Sequence, residues 1–493
     1  MFEMITPEQA GISSKHVADF ISFCERRSIT MHSVLMIKGD KIFSENYWAP
    51  FHKDFCHRMY SQTKSYVGVA IGLLEEEGKL NLDDPMAKYF PERIDRELPH
   101  YLAEQTVREM LTMTTCGHPA RWFSAGDPDR THLYFATSDS SRPAGTYFEY
   151  DSPGSQVLCS LVEKLAGKSL FDYLNEKIFS ELGTFKTATI LKTPCGDSWG
   201  DSALVCTSRD MASFARFVMN YGTWNGKRLM NEAYLRKATT KQVGNQRTGF
   251  DLYESNGYGY QIWMTEQGGF SFNGMGGQFT VCVPEKDFIF VCTGDNQGYT
   301  GFGQVLFSAL FDKIVNNLGD APLEEDVPSY KALCEATKNL KLRSMKGDTY
   351  SPLMETIHGR EYQCASNPMG ITRFSMNFYQ DKPCEFRYTN GQGDKVLYFK
   401  LGENAFGKFP QLGYSNEVGG QRTTDGFLYN CAASAAWDDA TRLKLYVQVV
   451  DRYFGTLYML FAFKGDEVAV NMTKTAEDFF GEYAGNLVGK LAD

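Results

Sequence analysis

The sequence has no long apolar run, no basic leader and no excess of positive charge. No uninterrupted hydrophobic stretch of about 20 residues occurs, so nothing is expected to span a membrane as a helix. The opening residues Met1-Phe2-Glu3-Met4-Ile5-Thr6-Pro7-Glu8 offer neither a basic region nor a signal-type apolar segment, which predicts a cytoplasmic chain. The net charge of −10 argues against nucleic acid or an anionic membrane surface as partner. Twelve cysteines are scattered without a C-x-x-C and without histidines at zinc-finger spacing, so they read as small buried hydrophobes. The eight histidines form no H-E-x-x-H, and His52 and His57, though near in sequence, complete no metal pattern. No metal or organic cofactor is expected, and no fixed-period repeat is present.

What is present is ordinary globular composition, 43% hydrophobic and 22% charged, over 493 residues. That length exceeds one compact core and predicts two or three domains. A helix is predicted over residues 13–27. A hairpin follows, with Ser33–Ile37 and Ile42–Ser44 flanking a turn at 38–41. A second hairpin pairs Phe279–Val283 with Phe288–Cys292, and an amphipathic helix spans Gly303 to Asn317. Strands at both ends and helices between them suggest one antiparallel sheet built from both ends of residues 1–320, with a helical insertion. Residues 321–346, acidic and proline-containing, read as a linker with a short helix. Residues 347–493 turn to short aromatic-rich strands such as Leu443–Val450 and Thr456–Phe463, separated by turns, and predict an all-β barrel or sandwich.

The most informative stretch is Tyr60-Ser61-Gln62-Thr63-Lys64-Ser65. Ser61 and Lys64, three apart, share one face of the helix that the periodic Val67, Ala70, Ile71 and Leu74 announce, with Gly78 a natural stop. At a helix N-terminus, unpaired N–H groups favour developing negative charge. A neutral lysine there can take the serine proton and create a nucleophile. S-x-x-K is a weak signature alone, since a chain of this length holds about one or two by chance, and this chain has only this one. Two further segments offer candidates for proton transfer and an oxyanion hole: Thr146 to Ser155, which contains Tyr150-Asp151-Ser152, and Phe270 to Gln278, which contains Phe272-Asn273-Gly274.

Taken in order, Ser61-x-x-Lys64, the Leu111-Thr112-Met113-Thr114-Thr115-Cys116-Gly117 loop, Tyr150-Asp151-Ser152 and Phe272-Asn273-Gly274 resemble the serine β-lactamase and penicillin-binding-protein-like superfamily. The likeness is greatest to its class C β-lactamase, esterase and amide-hydrolase branches and covers roughly residues 5–318. It implies an α/β (α+β) sandwich in which an antiparallel sheet is flanked by helices. It also implies an acyl-enzyme mechanism with Ser61 as nucleophile and Lys64 with Tyr150 moving protons. The backbone N–H groups of Ser61 and Met275 would form the oxyanion hole, and Ser152, Asn273, Gly274 and Gln278 would meet substrate. A free lysine ionises near ~10.4, so a neutral Lys64 requires about 4 kcal/mol of perturbation; a tyrosinate at Tyr150 beside the ammonium is the alternative, and the sequence leaves both open.

Two departures bear on substrate. Ser152 stands where the family has asparagine, and Phe272-Asn273-Gly274 carries no lysine or histidine where the family places a cation for a substrate carboxylate. A charge-assisted contact of that kind contributes about 1.5–3 kcal/mol. Its absence points to a small uncharged ester or amide rather than a β-lactam or D-amino-acid peptide, the alternative readings within the fold. A catalytically inactive ligand-binding relative is the reading from another class. A rival motif, Gly196-Asp197-Ser198-Trp199-Gly200, matches G-x-S-x-G, but Pro194 and Cys195 precede it, and the nearest helical pattern begins only near Ser208. The β-rich block carries no chemistry of its own in its sequence; capping the site, binding a partner and building a homodimer are its open roles.

Overall fold

A computed structural model describes residues 2–120, 126–246, 251–420, 427–475 and 481–492. The chain divides into two compact units, Met1–Lys341 with Glu417–Gly419, and Leu342–Asn416 with Gly420–Asp493.

The first unit is built on a seven-stranded sheet. Its strands are β1 (Glu3–Met4), β2 (Met31–Lys38), β3 (Lys41–Tyr47), β4 (Trp263–Met264), β5 (Phe270–Gly274), β6 (Gln278–Val283) and β7 (Phe288–Gly294). Their spatial order is β1-β3-β2-β7-β6-β5-β4. The β1–β3 edge pairing is parallel and the others are antiparallel. The two sequence-predicted hairpins meet at the centre, where Leu35 of β2 lies opposite Val291 of β7. The sheet is thus closed from both ends of the unit, with some 200 intervening residues forming the helical insertion.

Period-two alternation decides which face each side chain covers. Phe279, Val281, Val283, Phe288, Phe290 and Cys292 point to one core. Cys282, Ile289 and Val291 point to the other. The first core is covered by α1 (Ser14–Arg26) and by a helix at Phe302–Lys313. Ser13 caps α1 by accepting from the Lys15 N–H, and its Val17, Phe20, Ile21 and Cys24, spaced as one helical face, are buried. Leu306, Leu310, Phe311 and Ile314 reach the same core, with Val305 half-buried against it. The segment expected as a linker contributes a helix at Val327–Thr337 whose Leu333 is buried in this core.

The second core is organised by α2 (Thr63–Glu76), together with α3 (Ser152–Ala166) and α4 (Ser208–Met219). The spacing of Val67, Ala70, Ile71 and Leu74 predicts one apolar face, but α2 is buried on every side from Thr63 to Leu74. It runs between the sheet and the helical insertion, so no face meets water. Gly78 follows its end with φ 68°.

In the second unit, ten antiparallel-dominated strands form one sheet, of which nine close into a barrel. Closure is a parallel pairing of Lys400 and Leu401 with Ser434 and Ala435. Strands Arg442–Val449 and Thr456–Lys464 lie where the sequence predicts strands. Phe374, Phe386 and Phe461 pack edge-to-face on one another. Closure leaves few strand edges unpaired, so of the sequence alternatives, barrel and sandwich, the barrel is the one formed.

Candidate active site

Ser61 sits in a single 3-10 turn, Tyr60–Gln62, that leads directly into α2. Tyr60, just before it, holds a left-handed backbone with φ 48°, a conformation that costs a non-glycine residue of order 1–3 kcal/mol. Its surroundings hold it there: the Tyr60 carbonyl accepts from Thr63 Oγ1 at 2.7 Å, and the Arg58 guanidinium lies 4.2 Å from the Tyr60 ring centroid. Gln62 is fully buried and accepts from Thr280 Oγ1 of β6 at 3.1 Å, fixing the turn to the sheet.

Lys64 is buried to 2% exposure, one helical turn on. Its Nζ donates to Ser61 Oγ at 3.0 Å and to the Asp201 carbonyl at 2.6 Å. The third group, Tyr150, is half-buried, with its ring centroid 5.1 Å from Lys64 Nζ. Trp263 of β4 stacks on the Tyr150 ring at 5.6 Å and 21°. Met113, in the threonine-rich loop, has φ 53°; its carbonyl accepts from the Glu149 N–H at 2.9 Å and so holds the segment bearing Tyr150. Asp151 caps α3 by accepting from the Gly154 N–H at 2.9 Å, so the next residue, Ser152, lies in the first helical turn.

Gln261 ties these pieces together. It is 1% exposed, with φ 58°. Its Nε2 donates to the Met110 and Leu111 carbonyls, its Oε1 accepts from Ser155 Oγ of α3 at 2.7 Å, and its carbonyl accepts from Ser65 Oγ of α2 at 2.7 Å. The helix that follows Ser61, the helix that follows Tyr150 and the threonine-rich loop therefore meet on one residue.

Gly274 ends β5 against the Ser61 turn. A Cβ there would stand 2.2 Å from the Met59 carbonyl oxygen, so only glycine allows the strand this close. Two buried amides hold the loop beyond it. Gln278 Nε2 donates to the Met275 and Gly294 carbonyls. Asn296 Nδ2 donates to the Gly276 and Thr30 carbonyls.

Ser61, Tyr150, Asn273, Gly274 and Met275 line a single cavity of about 390 Å³. Of the sequence-predicted site residues, Lys64 lies just beneath it, reached through Ser61. Ser152 and Gln278 do not line it; the Gln278 amide is committed to the backbone of the neighbouring loop. Glu254, on the cavity wall, has its carboxyl pushed up to about 7 by burial, with Asp251 adding to the effect. Sequence reasoning missed Trp263, Gln261, Asn296 and Glu254, and the Asp201 carbonyl that holds Lys64. A carbonyl has no sequence signature, and the others lie far along the chain from the residues they support.

The rival motif does not form a nucleophile elbow. Ser198 lies in a loop after the short strand Thr189–Ile190, and no helix starts at it; α4 begins only at Ser208. The loop is instead structural: the Ser198 carbonyl accepts from Gln156 Nε2 of α3 at 2.9 Å, and Trp199 packs against the guanidinium groups of Arg58 and Arg130. His57 does not pair with His52 but with His32, Nε2 to Nδ1 at 2.8 Å, and burial holds both rings well below the usual histidine range.

The fold is that of the serine β-lactamase and penicillin-binding-protein class. The sequence model of the beta-lactamase family matches residues 25–306, and the chain belongs to that family. Among curated relatives, a 6-aminohexanoate-dimer hydrolase of Paenarthrobacter ureafaciens is 26% identical over 277 residues, 52% of this chain and 70% of that protein. Among solved structures, a Bacillus anthracis protein provisionally assigned as a 6-aminohexanoate-dimer hydrolase superposes with a TM-score of 0.54 at 18% identity, over 66% of this chain and 89% of that one. A Bacteroides dorei protein provisionally assigned as a beta-lactamase gives 0.52 at 19% identity, over 62% and 99%. The protein is a hydrolase of this family. No helix among the described residues is long and apolar enough to cross a membrane.

Proposed function

We propose that the protein cleaves a small ester or amide through an acyl-enzyme on Ser61. The observation that carries this reading is the 3.0 Å contact between Ser61 Oγ and a buried Lys64 Nζ at the floor of a cavity that Tyr150 also lines. A neutral lysine amine has two N–H bonds and one lone pair. With one N–H spent on the Asp201 carbonyl, the lone pair is free to take the Ser61 proton as Oγ attacks the acyl carbon. Tyr150, beside the same amine, carries the proton on to the leaving group or, as a phenolate stabilised by the Lys64 ammonium, takes it from Ser61 first. The Ser61 and Met275 N–H groups receive the developing oxyanion. Water then attacks the ester carbonyl, the Ser61 Cβ–Oγ–acyl linkage is cleaved at the acyl carbon, and Oγ recovers its proton. A relative named for hydrolysing a 6-aminohexanoate dimer supports an amide as one substrate type.

A fluorophosphonate probe tests the reading. Wild type is expected to label at one site, and Ser61→Ala is expected to abolish both the label and turnover of chromogenic esters and amides. Label retained on Ser61→Ala, or turnover unaltered by it, overturns the assignment.

A further inference from the structure

The chemistry of the cavity wall beyond Ser61 selects a charge. Its aromatic residues are Tyr150, Tyr253, Trp263, Phe279, Tyr299 and Phe302, and its carboxyls are Asp251 and Glu254. Among the described residues that line it, none is lysine, arginine or histidine. Rings present their negative faces to cations, and a carboxylate set among rings in a partly desolvated pocket strengthens that preference. Among the described residues no cationic side chain acts on Glu254; a hydrogen bond from Tyr253 and a weak one from the Asn273 amide favour its ionised form, and burial outweighs them. Asn273 supplies a second sign of a missing ligand. It is 6% exposed, lines the same wall, and its Nδ2 makes no hydrogen bond of good geometry. The amide has two N–H donors and at most one weak contact, to Glu254, so a donor is left for a substrate oxygen beside Ser61.

We propose that the cavity takes a substrate bearing an organic ammonium group, seated between Asp251, Glu254 and the surrounding rings while Asn273 bonds an oxygen of the same substrate. The proposal rests on the acyl-enzyme reading and refines it: the lost cation of the third motif, which by itself argues for an uncharged substrate, is matched by carboxyls that favour a positive one.

Two measurements test it. The first compares p-nitroanilides of equal chain length that end in an ammonium, a methyl or a carboxylate. The ammonium compound is expected to exceed the methyl compound at least tenfold in kcat/KM, chiefly through KM, with the carboxylate compound poorest. In Glu254→Gln/Asp251→Asn the ammonium-to-methyl ratio is expected to fall towards one. The second needs no catalysis: calorimetric binding of butylammonium and butyrate to wild type and to Ser61→Ala, with butylammonium binding and butyrate not. A ratio near one in wild type, a ratio that survives the double substitution, or butyrate binding as well as butylammonium overturns the proposal. Ser61-dependent labelling without any cation preference defeats this inference alone, whereas cation binding without Ser61-dependent chemistry defeats the acyl-enzyme reading alone.

Discussion

Replacing Gln261 with alanine removes three side-chain hydrogen bonds, to the Met110 and Leu111 carbonyls and from Ser155 Oγ, all buried. Each net bond contributes about 1 kcal/mol, and orphaning buried partners costs somewhat more, so a loss of about 3–4 kcal/mol is expected. The two backbone contacts, the Gln261 N–H to the Leu111 carbonyl and Ser65 Oγ to the Gln261 carbonyl, remain available. The unit therefore still folds but loses the clasp that sets Ser61 and Lys64 against Tyr150, and kcat should fall at least tenfold with KM little changed. Chemical denaturation and steady-state kinetics read the two effects. Gln267→Ala is the matched control. Gln267 shares the left-handed backbone, φ 55°, but is exposed, and among the described residues its amide bonds only to exposed Asn316. Its loss should stay within about 0.5 kcal/mol with kcat unaltered. If Gln261→Ala costs under about 1 kcal/mol, or if stability falls while kcat holds, Gln261 does not align the catalytic groups.

Gly274→Ala would drive a methyl to 2.2 Å from the Met59 carbonyl. Because backbone must move, a loss of about 1–3 kcal/mol and a fluorophosphonate labelling rate lowered at least a hundredfold are expected; normal labelling would show that the strand need not approach Ser61 so closely. Burial pushes the Glu254 carboxyl up to about 7 from an ordinary 4.5, so the folded state is favoured below the lower value and loses about 3 kcal/mol as pH rises through the upper. Glu254→Gln should therefore melt above wild type at pH 8 and near it at pH 4, and equal melting at both refutes the burial argument. Ser198→Ala should keep kcat/KM within twofold, since its loop lacks the strand and helix of a nucleophile elbow; a collapse in activity would reinstate the rival motif.

Local pattern made much of the first unit legible. The helix at Ser14–Arg26 and both hairpins follow from apolar spacing and turn residues, and the pairing of Ser61 with Lys64 follows from helix geometry alone. What failed locally failed for a tertiary reason. The α2 pattern shows one apolar stripe, yet its other faces are buried too, both by further core residues, Tyr66, Val69 and Leu73, and by polar ones that find partners: Ser65 bonds the Gln261 carbonyl, and Thr63 Oγ1 bonds both the Tyr60 carbonyl and the Leu204 N–H. Ser152 and Gln278 occupy expected motif positions, but Ser152 lies in the first turn of α3, which Asp151 caps, and the Gln278 amide is committed to the backbone of the neighbouring loop.

Sequence by itself determined the chemistry on offer: a serine and a lysine one turn apart, a tyrosine before a helix, and a glycine at a strand end, in an order that resembles one family. It could do so because three-residue spacing and strand alternation are properties of the backbone, independent of what surrounds it. Only the tertiary structure decided what the serine faces. Residues as distant in sequence as Tyr150, Glu254 and Tyr299 line one cavity with Ser61, and both the burial that keeps the Glu254 carboxyl protonated to higher pH and the carbonyl that holds Lys64 exist only once the sheet and the helical insertion close on each other.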